Sequence, residues 1–120
     1  MNIIKTIDKY LMESKNSSKV AIINAMEIYF DYMGDDPIYN KQSEMDKGEN
    51  IIIKWIDKNL TKSILDEKDY SKKVTKIKIM LNKIKKEKIK NKHLEIFKEM
   101  LSDKTKKEYF AEELATPDKI

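Results

Sequence analysis

Tyr70, Val74, Ile77, Leu81 and Ile84 recur at alternating steps of four and three residues, and an α-helix gathers that spacing into a single apolar seam. Met80 widens the seam. A helix striped this way buries one side against other helices, so the feature points to a bundle. It predicts a basic amphipathic helix over residues 67–90, with Asp66 in place to cap its start. The next position in the series is Lys88, where the apolar register fails. The helix therefore either stops near residues 88–91 or carries its last turns beyond the core.

The rest of the chain also reads as helix. Ile3, Ile4, Ile7, Tyr10 and Leu11 share a face and predict a helix over 2–13, followed by a polar turn at 14–18. Val20, Ile23, Met26, Tyr29, Phe30 and Met33 form a broad apolar face over 19–33, widened by Ala21, Ile22, Ala25 and Ile28, so this helix belongs at the centre of the fold. Gly34 is placed to end it in a left-handed turn. Ser43 with Asp46 imitates a capping box for a helix over 44–59, which turns Met45, Ile52, Trp55, Ile56 and Leu60 inward. Gly48 inside that helix either admits a close neighbour or marks fraying. Leu94, Phe97 and Leu101 predict a helix over 92–101 capped by Asn91. Thr105 and Glu108 form a capping box for a last helix that packs Tyr109, Phe110 and Leu114 and ends before Thr116-Pro117. No stretch sustains strand alternation. The expected fold class is all-α: a compact single-domain bundle of five to six short-to-medium helices over residues 1–120.

Composition narrows the chemistry. A chain of 120 residues suits one domain. Without cysteine it has no disulfide, thiolate metal site or cysteine nucleophile. Its two glycines cannot build a phosphate-cradling loop. His93 is the only histidine, which excludes a two-histidine metal site; it reads as a surface or helix-start residue. Asp31, Asp35 and Asp36 cluster near Gly34 without the spacing of a calcium loop. Glu112 and Glu113, adjacent on a helix, diverge too far to work as a carboxylate pair. No catalytic residue, metal or cofactor is assigned, and an enzyme is not expected. The first residues mix charge into each turn, and no apolar run approaches the length of a membrane span, so a cytoplasmic protein without a transmembrane segment is expected.

The formal net charge of +4 conceals a segregation. Residues 1–71 carry 10 lysines against 13 acidic residues, and residues 93–120 carry 5 against 7. Between them, residues 72–92 carry 10 lysines and one glutamate, a net charge of +9. On a helical wheel Lys72, Lys76, Lys83, Lys86 and Lys90 gather opposite the seam, and Lys78 and Lys85 flank it. A helix reaching Lys90 makes this face about 27 Å long. Like charges this close repel, and an anionic partner relieves them.

The partner such a face suits is a DNA or RNA backbone, which lysine meets as a mobile point charge. The chain has no arginine, the usual bidentate reader of guanine, and Asn82 and Asn91 offer little base readout. Ile79 interrupts the lysine face, and Tyr29, Phe30 and Tyr32 form an aromatic-rich run. Ile79, Tyr29 and Tyr32 are thus the candidate patch for a protein partner or a homo-oligomer. The expected function is that of a non-enzymatic nucleic-acid-associated protein. The alternative is a helical protein–protein interaction module: a small regulator or inhibitor of a larger complex, or an accessory subunit of a nucleoprotein assembly.

Overall fold

Six α-helices and two 3-10 turns carry most of residues 16–116, the part of the chain that the computed structural model describes. In order they are α1 (Asn16–Met33), a 3-10 turn (Pro37–Asn40), α2 (Gln42–Asn59), α3 (Lys62–Leu65), α4 (Tyr70–Leu81), a second 3-10 turn (Asn82–Lys86), α5 (Lys92–Ser102) and α6 (Lys104–Ala115). No strand occurs among the described residues, and the fold class is all-α. The helix expected over 2–13 lies outside the described residues.

α1 is central, packed against α2, α5 and α6. Its buried side is made of Ala21, Ile22, Ala25, Met26, Ile28 and Tyr29. That side is rotated from the expected one, since Ile23 is 40% exposed. Alanine pairs one turn apart accompany the rotation. Ala21 and Ala25 on α1, and Ala111 and Ala115 on α6, are all buried, and short side chains let two helices approach closely. Phe97 of α5 ties the layers together: its ring meets Tyr29, Trp55 and Phe110 edge-on at 5.9, 5.7 and 5.4 Å. The seam of α4 behaves as its spacing requires, with Val74, Ile77, Met80, Leu81 and then Ile84 buried. Only Tyr70, at its start, stays exposed, its hydroxyl 3.4 Å from the Glu112 carbonyl on α6.

Helix boundaries depend on which short polar side chain reaches a free backbone N–H. Asp66 does not cap α4: a single turn, α3, starts on the Thr61 side chain and ends at Asp66, and α4 then begins on Asp69, whose carboxylate accepts from the Lys72 N–H at 2.9 Å. The Ser43–Asp46 box does not form, because α2 already starts at Gln42 and Asp46 instead accepts from the Gln42 amide. Asp103, not Thr105, caps α6, and Glu108 is free to pair elsewhere. α1 starts at Asn16, inside the expected polar turn. Gly34 ends α1 by donating to the Phe30 carbonyl without a left-handed backbone. Space makes glycine necessary there, since a Cβ would lie 2.4 Å from the Phe30 carbonyl oxygen.

Candidate functional site

The +9 segment is helix only in its first half. α4 ends at Leu81, the backbone tightens into the Asn82–Lys86 turn, and the chain then runs on to Asn91, which caps α5. Glu87 and Asn91, at the two ends of that run, are both extended. The helix expected over 67–90 and its long lysine face therefore do not form. Ile84 and Ile89 supply one reason. Five residues apart, they would point about 140° from each other on a continued helix, and only one would reach the core. The 3-10 turn stacks Ile84 behind Leu81, and the run that follows brings Ile89 onto the core. Charge supplies the other reason, since continued helix would set Lys83 against Lys86 and Lys86 against Lys90 at repulsive spacings.

Residues 82–92 form a strap whose side chains sort by chemistry. Ile84 and Ile89 turn inward. Glu87 accepts a 2.9 Å hydrogen bond from Trp55 Nε1, and Asn91 accepts from the His93 N–H at 2.8 Å. Lys83, Lys85, Lys86, Lys88, Lys90 and Lys92 are all exposed. Among the described residues none of the six has a carboxylate within ion-pair distance. From Glu87 to Lys92 the alternation is strict, one residue against the protein and the next a lysine outward.

The lysines of α4 are placed differently. Lys76 pairs with Glu67 at 2.9 Å and Lys78 with Glu108 at 2.6 Å, so their charge is largely matched within the fold. Hydrogen bonds from Lys76 and from the Asp69 N–H hold the Glu67 carboxyl below its ordinary 4.5. Lys72 is exposed. The structure thus gathers Lys83, Lys85, Lys86 and Lys90 of the expected set, adds Lys88 and Lys92, and separates Lys72, Lys76 and Lys78 from them. Lys88 and Lys92 were readable from the alternation Glu-Lys-Ile-Lys-Asn-Lys, a period of two that a helical wheel scatters.

The candidate aromatic patch is taken up by packing. Tyr29 is fully buried and cannot meet a partner; Tyr32 is half-buried with Lys106 Nζ 5.1 Å from its ring centre. Ile79, in contrast, is 62% exposed. Asn91 is occupied as a cap, and Asn82 accepts from Lys107 at 3.2 Å, so neither is free to read a base.

His93 starts a helix but is not a surface residue, being only 4% exposed. Its Nε2 lies 3.2 Å from Glu44 and its Nδ1 3.0 Å from the Tyr39 hydroxyl, which in turn meets the Tyr29 hydroxyl at 2.5 Å. Glu44, when ionised, only accepts, so in the neutral ring Nε2 carries the hydrogen and Nδ1 accepts from Tyr39. Burial, then the hydrogen bond to Tyr39, pushes the Tyr29 hydroxyl far above the phenol range, and burial likewise raises Tyr39. Carboxylate, imidazole and hydroxyl stand in the order of a catalytic relay. The terminal hydroxyl, however, is locked onto a second buried phenol rather than opening to substrate. Gly48 makes this possible: a Cβ there would sit 2.9 Å from both His93 Nδ1 and the Tyr39 hydroxyl oxygen. The relay joins α1, α2 and α5 through the Pro37–Asn40 turn, and Asp36 caps that turn by accepting from the Ile38 N–H.

Among the described residues no cluster of side chains suits a metal ion, and no helix is long and apolar enough to cross a membrane. Comparison with protein-family models, curated proteins and solved structures gives no match to this chain.

Proposed function

We propose that the protein binds nucleic-acid phosphate backbones through the 82–92 strap, non-enzymatically and without base readout. The observation that carries this reading is the set of six exposed lysines without a partner among the described carboxylates. The only glutamate in their segment is held on Trp55. Six cations displayed together repel one another, and counterions released from a polyanion relieve the repulsion on binding. Lysine, unlike arginine, contacts phosphate without a preferred bidentate geometry, so the strap grips the backbone and not the sequence. Single-strand binding by base stacking needs exposed aromatics within the groove. Among the described residues the exposed tyrosines, Tyr70 and Tyr109, sit on α4 and α6 instead. Duplexes, which carry the denser phosphate charge, are the preferred ligand. A cytoplasmic setting belongs to the same proposal.

Fluorescence anisotropy with short duplex and single-stranded DNA and RNA at low salt tests it. The wild-type protein should bind every probe, duplex more tightly, with little dependence on base sequence. Changing Lys83, Lys85, Lys86, Lys88, Lys90 and Lys92 to glutamine should abolish binding, whereas Lys72→Gln with Lys78→Gln should weaken it only slightly. Absent wild-type binding, or binding retained by the six-fold variant, would sink the proposal. A second reading, an interaction module for a protein partner, rests on the exposure of Ile79.

A further inference from the structure

α1 has a second face that borders the core at Met26 and Phe30 and is exposed at Ile23, Glu27 and Asp31. Ile23, Met26, Glu27, Phe30 and Asp31 recur at i, i+3, i+4, i+7 and i+8, one stripe of the helix. With Glu49 of α2 they line an open groove of about 420 Å³. Met26 and Phe30 supply an apolar floor, and Ile23 is an exposed hydrophobe at its end. Every charged side chain lining it is a carboxylate: Glu27, Asp31 and Glu49, all exposed. Partial burial of its carboxyl, and then Asp46 nearby, pushes Glu49 above its ordinary range.

The opposite pattern stands on α4. Ile79 projects from the helix face turned away from the seam, with Lys76 one turn before it, Lys72 another turn back and Lys83 in the turn that follows. Glu67 matches Lys76, so Lys72 and Lys83 leave this surface positive. One surface is an apolar knob among cations and the other an apolar trough among carboxylates. α4 uses its seam to pack against α6, which directs Ile79 outward and away from its own chain.

We infer that Ile79 of one copy seats in the groove of a second copy, over Met26 and Phe30, with Lys72 and Lys83 facing Glu27, Asp31 and Glu49. Knob and groove are different surfaces, so the contact is heterologous and propagates head to tail, into a ring or an open chain. One apolar side chain and a few exposed ion pairs make it weak and sensitive to salt.

Sedimentation velocity on nuclease-treated protein, over a concentration series at low and high salt, tests the inference. Wild-type protein should associate with rising concentration at low salt and lose that association at high salt. Ile79→Ser should weaken association by about tenfold or more, the equivalent of losing one buried isoleucine. Glu27→Lys with Asp31→Lys should be monomeric, as should Lys72→Glu with Lys83→Glu; mixing these two proteins should restore association, because each then offers what the other lacks. All the substituted positions are exposed, and circular dichroism checks that each variant is folded. A wild-type protein monomeric throughout, association indifferent to Ile79→Ser, or mixing that restores nothing would each overturn the inference. Ile79→Ser should still bind duplex, so failure of self-association and failure of phosphate binding are read separately.

Discussion

A Cβ on Gly48 would press on His93 Nδ1 and the Tyr39 hydroxyl at 2.9 Å, inside a relay buried between three helices. Alanine at an exposed helical site gains about 1 kcal/mol over glycine. Here the displaced groups are buried and hydrogen-bonded, and Gly48→Ala should instead destabilise the fold by about 1–3 kcal/mol. Urea unfolding should show a lower midpoint at unchanged m value. Tyr39→Phe keeps the ring but removes the partner of both the Tyr29 hydroxyl and His93 Nδ1, with an expected loss of about 1–3 kcal/mol in the same measurement. None of this was legible near His93 in sequence. Its partners Tyr39 and Glu44 lie 54 and 49 residues away, and the local run Asn-Lys-His-Leu-Glu is that of an ordinary exposed helix start.

At the scale of elements, apolar periodicity places the α4 seam but misplaces Ile23 and Tyr109, both exposed, and capping holds at Asn91 but fails at Asp66, Ser43 and Thr105. The α4 seam was readable because five residues at one spacing all enter the core except the first. The cap was not, because Asp66 and Asp69 are chemically the same and only packing decides which one meets a free N–H. Asp69→Ala should cost about 1 kcal/mol, whereas Asp66→Ala, an exposed C-cap, should change stability by less than about 0.5 kcal/mol. The end of α4 was hidden because a seam states where a helix is supported, not where a 3-10 turn can serve the same isoleucine better. Glu67, joined to Lys76, adds a pH signature. Its folded pKa lies below the ordinary 4.5, so its contribution is complete above that value and is lost as pH falls through the folded one. Unfolding midpoints followed down through acid pH should therefore decline less steeply in Glu67→Gln than in wild type.

For the molecule as a whole, charge is arranged by folding rather than by composition. The +9 of residues 72–92 was plain in the sequence, but its distribution was not: ion pairs match two lysines on α4, while the strap displays six together. The carboxylate-lined groove on α1 lies on a different element from that strap, which gives the molecule two surfaces of opposite sign. The proposed phosphate binding by the strap makes a numerical demand, because each contact would release counterions. Duplex affinity measured across a salt series should fall with a log–log slope of about −4.5 to −5.5, as five or six lysine contacts require, and the slope should collapse toward zero when the six strap lysines become glutamine. A shallow slope in the wild type, or one that survives in the variant, would contradict the assignment of the strap as the binding surface.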